Sequence, residues 1–194
     1  MFLDSNPRNC RRAEEAGFPV VFGDGVQERT LLRARPQTVG TAIGLTPNQM
    51  VNSVFVSRAR ERFGVPLGYV AVAQPDSGLA PELVESPDVA VLFDGPHDVN
   101  RWDVRCRHGQ VEVEQWRYRG PGEESAEIDA APKGGERFVV LAIRRGGKTL
   151  PMHPEFKLQE GDVAAVVVHT PEAGEAREAL RSARWDPQPE GEAR

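Results

Sequence analysis

The sequence predicts an α/β chain in three parts: a parallel sheet of βαβ units over residues 1–73, a β-ribbon and linker over 74–135, and a small α+β unit over 136–185, followed by a polar tail at 186–194. Three observations carry that reading. From Met1 to about Ala73, short apolar runs alternate with helical patterns, the rhythm that lays strands parallel through helical crossovers. Residues 74–135 are rich in Pro, Gly and acids at both ends and hold a glycine turn at their centre. Residues 136–185 open on an almost continuous apolar run, Phe138 to Ile143, and close on a helical pattern.

The elements follow in order. Phe2-Leu3-Asp4 is the end of a strand. Asn6-Pro7 opens a helix through Gly17, because Asn caps well and Pro suits the first helical position. Its apolar side is thin (Cys10, Ala13, Ala16), and Gly17 stops it. Pro19 to Phe22 is a buried strand closed by Gly23-Asp24-Gly25. Gln27 to Arg35 is a short helix ended by Pro36, and Val39 to Leu45 is a strand. Thr46-Pro47-Asn48-Gln49 is a capping box. Behind it Val51, Phe55, Ala59 and Phe63 recur at four-residue spacing until Gly64, and Pro66 to Val72 is the next strand.

In the middle part, Arg101 to Arg107 and Val111 to Tyr118 flank His108-Gly109-Gln110, and Val111, Val113 and Trp116 point to a β-ribbon around that turn. Gly120 to Gly135 reads as a flexible linker. In the last part, Gly146-Gly147 turns the first strand into Lys148 to Met152. Leu158 to Asp162 then turns into Val163 to Val168. Thr170-Pro171-Glu172 caps a helix carrying Ala173, Ala176, Leu180 and Ala183 on one side. The polar stretch Asp186 to Arg194 is expected to be disordered.

Composition narrows the function classes. The chain has 194 residues, 39% hydrophobic and 27% charged, enough for one or two small cores. A net charge of −5 with mixed signs lacks the electrostatic footprint of a duplex-DNA binder. The longest apolar run, Val163 to Val168, is far short of the ~20 residues that span a bilayer. No secretory apolar stretch follows Met1. Cys10 and Cys106 sit in different regions, which argues against a disulfide framework or a zinc knuckle and for a reducing cytoplasm.

Few residues stand out for chemistry. Asp4 ends the first strand, and a carboxylate there can accept two hydrogen bonds from a ribose diol; it equally serves the turn into the helix. Gly23-Asp24 follows the next strand, where glycine lets a ligand approach the backbone and Asp24 could accept from an adenine amino group; a plain turn explains both as well. Thr46 and Asn48 stand at the mouth of the third helix, beside strand ends where open α/β sheets bind ligands, with Asn52 one turn on and facing the same way. Thr46 is also fully explained as a cap. His97, His108, His153 and His169 show no metal-ligand spacing. Cys106, on an expected strand, has no activating partner. Arg58, Arg60 and Arg62 read as a solvated helix side or an assembly surface. Neither a Ser-His-Asp order nor a pair of catalytic carboxylates appears.

Taken together, the segments resemble a known pair of domains. Phe2-Leu-Asp4-Ser-Asn-Pro-Arg8, Val20-Val-Phe-Gly23-Asp24, Ala42-Ile-Gly-Leu-Thr46-Pro-Asn48, Asn52 and Ser57-Arg-Ala-Arg60 resemble the later part of a TrkA-N (RCK-N) domain. Phe138 to Ile143, Arg145-Gly-Gly-Lys-Thr-Leu-Pro151, His153-Pro154, Phe156 and Leu158 to Asp162 resemble a TrkA-C (RCK-C) domain, and the two come in the family's order. The resemblance implies an incomplete Rossmann-like sheet and a regulatory module of a potassium channel, uptake system or cation/proton antiporter. It implies a cytoplasmic place at the inner face of the membrane, a membrane-embedded channel or antiporter as partner, and a homodimer. It also implies binding of NAD or another adenine nucleotide at Asp4, Arg8, Gly23, Asp24, Thr46 and Asn48. A second, effector groove is implied around Arg144, Arg145, Pro151 and His153. No nucleic acid and no catalysis are expected.

One departure qualifies this. The family's first strand and glycine-rich phosphate loop should lie before Asp4, and this chain lacks them, so it reads as N-terminally truncated. Without backbone amides at a helix N-terminus for a pyrophosphate, nucleotide binding by the chain alone is expected to be weak or absent. Two other readings share the βαβ rhythm: a fragment of an NAD-dependent oxidoreductase, and a pure dimerisation module.

Overall fold

The structure, a computed structural model, describes residues 1–73, 89–121 and 134–188. Most of the expected linker, the acidic stretch at 74–88 and residues 189–194 of the expected tail lie outside the described residues. The chain divides into two compact units, one built on residues 1–70 and the other on residues 91–188.

The first unit is α/β. Its elements are β1 (Phe2–Asp4), α1 (Pro7–Glu15), β2 (Val20–Phe22), α2 (Glu28–Ala34), β3 (Thr41–Gly44), α3 (Gln49–Phe63) and β4 (Leu67–Val70), with β5 (Val89–Val91) completing it. Each crossover is parallel, as the sequence predicts. β1 pairs with β2 in the register Phe2↔Val20 and Asp4↔Phe22, and β3 pairs with β4 in the register Thr41↔Leu67 and Gly44↔Val70. Among the described residues the strands form two ladders, β1-β2 and β3-β4-β5. No described strand joins the two ladders.

α3 lies on β3 and β4 through two glycines. A Cβ on Gly44 would stand 2.8 Å from the Asn52 Cβ, and one on Gly68 would stand 2.5 Å from the Val56 Cγ1. That close approach selects the buried side of the helix. Asn52, Val56 and Ala59 are buried, whereas Val51, Phe55 and Phe63, expected from the four-residue spacing to face the core with Ala59, are half-buried.

The second unit holds α4 (Val99–Arg107), β6 (Val111–Tyr118), β7 (Phe138–Arg145), β8 (Lys148–Pro151), β9 (Val163–His169), α5 (Ala173–Ser182) and β10 (Trp185–Gln188). Its five strands run antiparallel in the order β10-β6-β9-β7-β8. One sheet face packs on α5. Trp116, Phe138, Val140, Ile143, Val166 and Leu180 are each fully buried in that core.

Two expectations are corrected here. Arg101 to Arg107 is helix, not the first strand of a ribbon. Asp98 caps it by accepting from the Arg101 amide at 3.1 Å, and the segment buries only Arg105. Cys106 is therefore an exposed residue on α4. β6 finds its partners far along the chain, in β9 and β10. The start of the expected disordered tail is also ordered: Asp186 to Gln188 belong to β10, anchored by Trp185, which is 1% exposed and packs its ring 5.2 Å from that of Tyr118. Pro187 is compatible with this strand because β10 is an edge.

A bulge between Val140 and Ala142 reverses the facing of β7. Phe138 and Val140 point to the α5 side before it, and Ile143 does so after it. Arg145 follows Ile143 to the core side, and Arg144 falls on the opposite face.

Candidate functional site

Parallel pairing puts the C-terminal ends of β1 and β2 on one rim, and both sequence-predicted acids stand there. The Gly23 amide donates to the Asp4 carbonyl at 3.0 Å. The Asp4 carboxylate accepts from the Asn6 amide at 2.7 Å and from Asn9 Nδ2 at 2.9 Å. Asp24 accepts from the Val26 amide at 3.0 Å and Gln27 Nε2 at 3.3 Å. Each carboxylate thus orders its own turn. A carboxylate has about four acceptor positions, so each keeps capacity for a hydroxyl or amino donor.

The glycine between them has a local reason. Gly23 sits at φ 155°, and a Cβ there would meet Thr30 Cγ2 at 2.7 Å. Arg8 is exposed on the first turn of α1, where its amide donates to the capping Asn6 side chain at 2.9 Å. Cys10, behind the same turn, points its thiol at the Asp4 carbonyl, 3.4 Å away. Burial, reinforced by Asp4 and Glu14, pushes that thiol up and leaves it protonated and inert.

Thr46 and Asn48 form a closed network. The Asn48 side chain accepts from the Met50 and Val51 amides at 3.0 and 3.2 Å, capping α3. The Thr46 hydroxyl and amide both donate to Asn52 Oδ1, at 2.7 and 2.8 Å, and Asn52 Nδ2 returns a bond to the Thr46 carbonyl at 2.8 Å. Asn48 is exposed and Asn52 buried, so the two do not face the same way. Asn52 is the central residue of this loop. Its signal in the sequence was a polar residue in line with Val56 and Ala59 at helical spacing.

In the second unit the structure parts the four residues of the expected groove. The Arg145 guanidinium grips Asp162, with Nε 2.7 Å from Oδ1 and Nη2 2.6 Å from Oδ2, and lies 5.1 Å over the Phe156 ring. These bonds hold Arg145 above the ordinary guanidinium range. His153 packs edge-on against the same ring, at 5.4 Å. Burial pushes the His153 imidazole below its usual range, partly opposed by Glu155. Arg144 is across the sheet from this group, in a row with Thr149 and Val163. Pro151 pairs with Ala142 on that same side.

A buried carboxylate that sequence reasoning missed is Asp94. It accepts from the Val140 amide at 3.0 Å and the Gly134 amide at 2.9 Å, and meets His97 Nε2 at 3.0 Å. Asp94 and His97 are each 4% exposed, so this pair ties the Phe93–Asp98 loop to β7. Among the described residues no group of three or more His, Cys, Asp or Glu could hold a metal ion. No described helix is long and apolar enough to cross a membrane.

Residues 1–83 match the TrkA-N domain. The candidates Asp4, Arg8, Gly23, Asp24, Thr46 and Asn48 all fall inside the TrkA-N match, and Arg144, Arg145, Pro151 and His153 fall outside it. No curated protein matches the chain. Among solved structures it is similar to the GsuK RCK domain at 12% identity, a GsuK channel at 15% and a GsuK channel bound to NAD at 14%. It is covered over 93%, 97% and 93% of its length, and spans 46%, 35% and 38% of those chains. The TM-scores are 0.32, 0.38 and 0.30, values that carry no argument beyond the TrkA-N match itself.

Proposed function

We propose that the chain is a non-catalytic regulatory module of a potassium or other monovalent cation transport system, with an adenine-nucleotide half-site in its first unit and a TrkA-C-like second unit. The TrkA-N match over residues 1–83 carries this reading. Asp4 and Asp24, on one rim of a parallel pair with acceptor capacity to spare, support the nucleotide half-site. The partner is a membrane-embedded channel or antiporter, reached from the cytoplasmic side. A ligand gates such a partner only through unequal affinity for its two states.

In this proposal the half-site binds nucleotides weakly, its two carboxylates offering acceptors for a ribose hydroxyl or an adenine amino group. Titration of AMP, ATP, NAD+ and NADH into the nitrogen-15-labelled chain tests the reading. The expected result is a saturable perturbation of amides around Asp4, Arg8, Gly23, Asp24, Thr46 and Asn48, with dissociation constants of about 1 mM or weaker. Perturbations elsewhere, or none, would overturn the nucleotide half-site, and sub-millimolar binding would overturn the weak-binding claim.

A homodimer belongs to the same proposal. Phe2, Phe18, Phe22, Ile43, Leu45 and Leu67 of the first unit are each 42–53% exposed, more large apolar surface than an isolated small lobe usually leaves in water. Sedimentation equilibrium reads the mass directly. A concentration-independent monomer of 21.3 kDa would remove this part of the proposal.

A further inference from the structure

On the sheet face opposite α5 a pocket of ≈180 Å³ opens over β6, β7, β8 and β9. Two cross-strand rows build it. Thr149, Arg144 and Val163 stand in one row, and Ala142, Ala165 and Gln115 in the next. The depression exists because the second row places two alanines side by side where the neighbouring rows carry longer side chains.

Arg144 differs from most arginines of this unit; among the described residues Arg181 also has no acceptor, but its guanidinium lies 5.9 Å over the Trp116 ring. Arg145 has Asp162, Arg177 has Glu112 and Glu114, Arg119 has Asp186, and Arg117 donates to Gln188. Arg144 has no acceptor among the described residues and lines the pocket half-buried. A guanidinium is a planar fork that fits a carboxylate with two parallel hydrogen bonds. The Thr149 hydroxyl and the Gln115 amide add neutral donors on either side of the floor. The floor itself is methyl groups, which favour a short apolar tail over a fully hydrated anion. The volume lies below the ~300–1,000 Å³ of pockets for drug-sized ligands, so the occupant has few heavy atoms.

We propose that this pocket binds a small aliphatic carboxylate, its anionic head on Arg144 and its tail on Ala142 and Ala165. The site needs only the second unit and stands whether or not the first binds nucleotide.

The test uses the full nitrogen-15-labelled chain, with sodium propionate as the probe and inorganic phosphate and chloride at matched ionic strength as comparators. The expected result is a saturable propionate shift confined to amides near Gln115, residues 142–149 and residues 163–165, with a dissociation constant on the order of 1–10 mM. Arg144→Gln weakens it by about tenfold or more, the loss expected for a charge-assisted fork. Ala165→Leu fills the floor and abolishes it with the charge intact, which keeps the test decisive if Arg144→Gln disturbs folding. Arg117→Gln leaves it unchanged. Equal shifts with phosphate, an Arg144→Gln chain that binds like the wild type, or no saturable shift would each overturn the proposal.

Discussion

Arg145 and Asp162 form the best-shaped ion pair of the second unit: two parallel N–H donors meet a carboxylate that is 2% exposed, and the Gln159 amide completes its shell at 2.8 Å. Removing the cation strands a buried charge, which costs more than the pair contributes. The Arg145 side chain is 30% exposed, so water offsets part of the loss. Arg145→Met is expected to destabilise this unit by about 2–3 kcal/mol. Arg145→Lys should recover only part, because an ammonium cannot form the fork. Urea unfolding followed by tryptophan fluorescence measures both.

Gly44 and Asn52 set a second expectation. Gly44→Ala drives a methyl group to 2.8 Å from the Asn52 Cβ and 2.9 Å from its Cα. The backbone of α3 cannot give way as a flexible side chain would, so the cost is about 1–3 kcal/mol. Asn52→Leu deletes the Thr46 network and puts a larger side chain into a fully buried position, at a cost of about 1–3 kcal/mol. Thermal melts of the two variants report the loss. A Gly44→Ala chain as stable as the wild type would contradict the packing described here.

Acidification should destabilise the fold in two steps. Burial depresses the folded His153 below its ordinary value of 6.5, so the unfolded chain takes up a proton first, and stability falls as pH drops through about 6.5. Glu172 is held below 4.5, chiefly by its hydrogen bond from His169, with Arg105 and Arg137 adding to it. Its contribution is present above that value and is lost as pH falls through the depressed one. His153→Gln should remove the first step and keep the second. The readout is the urea midpoint measured from about pH 7.5 to about pH 3, so that the range runs below the ordinary Glu172 value of 4.5.

The C-terminal strand supplies a simple truncation test. A chain ending at Arg184 loses Trp185, whose buried ring is worth about 3–5 kcal/mol by analogy with large-to-small core changes. A chain ending at Gln188 keeps β10 and should melt like the full chain. Equal stability of the two truncations would show that β10 adds nothing to the sheet.

Much of the fold was legible because local rules and packing agree there. Asn6-Pro7 caps its helix as expected and Gly64 stops α3 at φ 69°, whereas the cap of α3 is Asn48 and not the expected Thr46, because the Thr46 hydroxyl is taken by Asn52. The apolar runs Phe138–Ile143 and Val163–Val168 are central neighbours in the sheet, which is why both are continuous. The ribbon failed because Arg101–Arg107 alternates polar and apolar residues as a strand would, with Trp102, Val104 and Cys106 at a period of two, while the Asp98 cap and the stacking of the Arg105 guanidinium over the Trp102 ring hold it as a helix. For the candidate site, the strand-end position of Asp4 and Asp24 could be read from the sequence. Their present hydrogen-bond partners could not, since an Asx turn and a ligand contact use the same residue types.

By itself the sequence determined the order of strands and helices in residues 1–73 and the parallel sense of their pairing, because these follow from short-range patterns and short crossovers. Tertiary structure alone decided three things: that β6 and β10 complete the sheet of the second unit, that α3 buries Asn52, and that Arg145 rather than Arg144 falls on the core side of β7. The last turns on one extra residue at Leu141, a bulge that exists only because β7 pairs with a strand some twenty residues further on, and no local pattern records such a pairing.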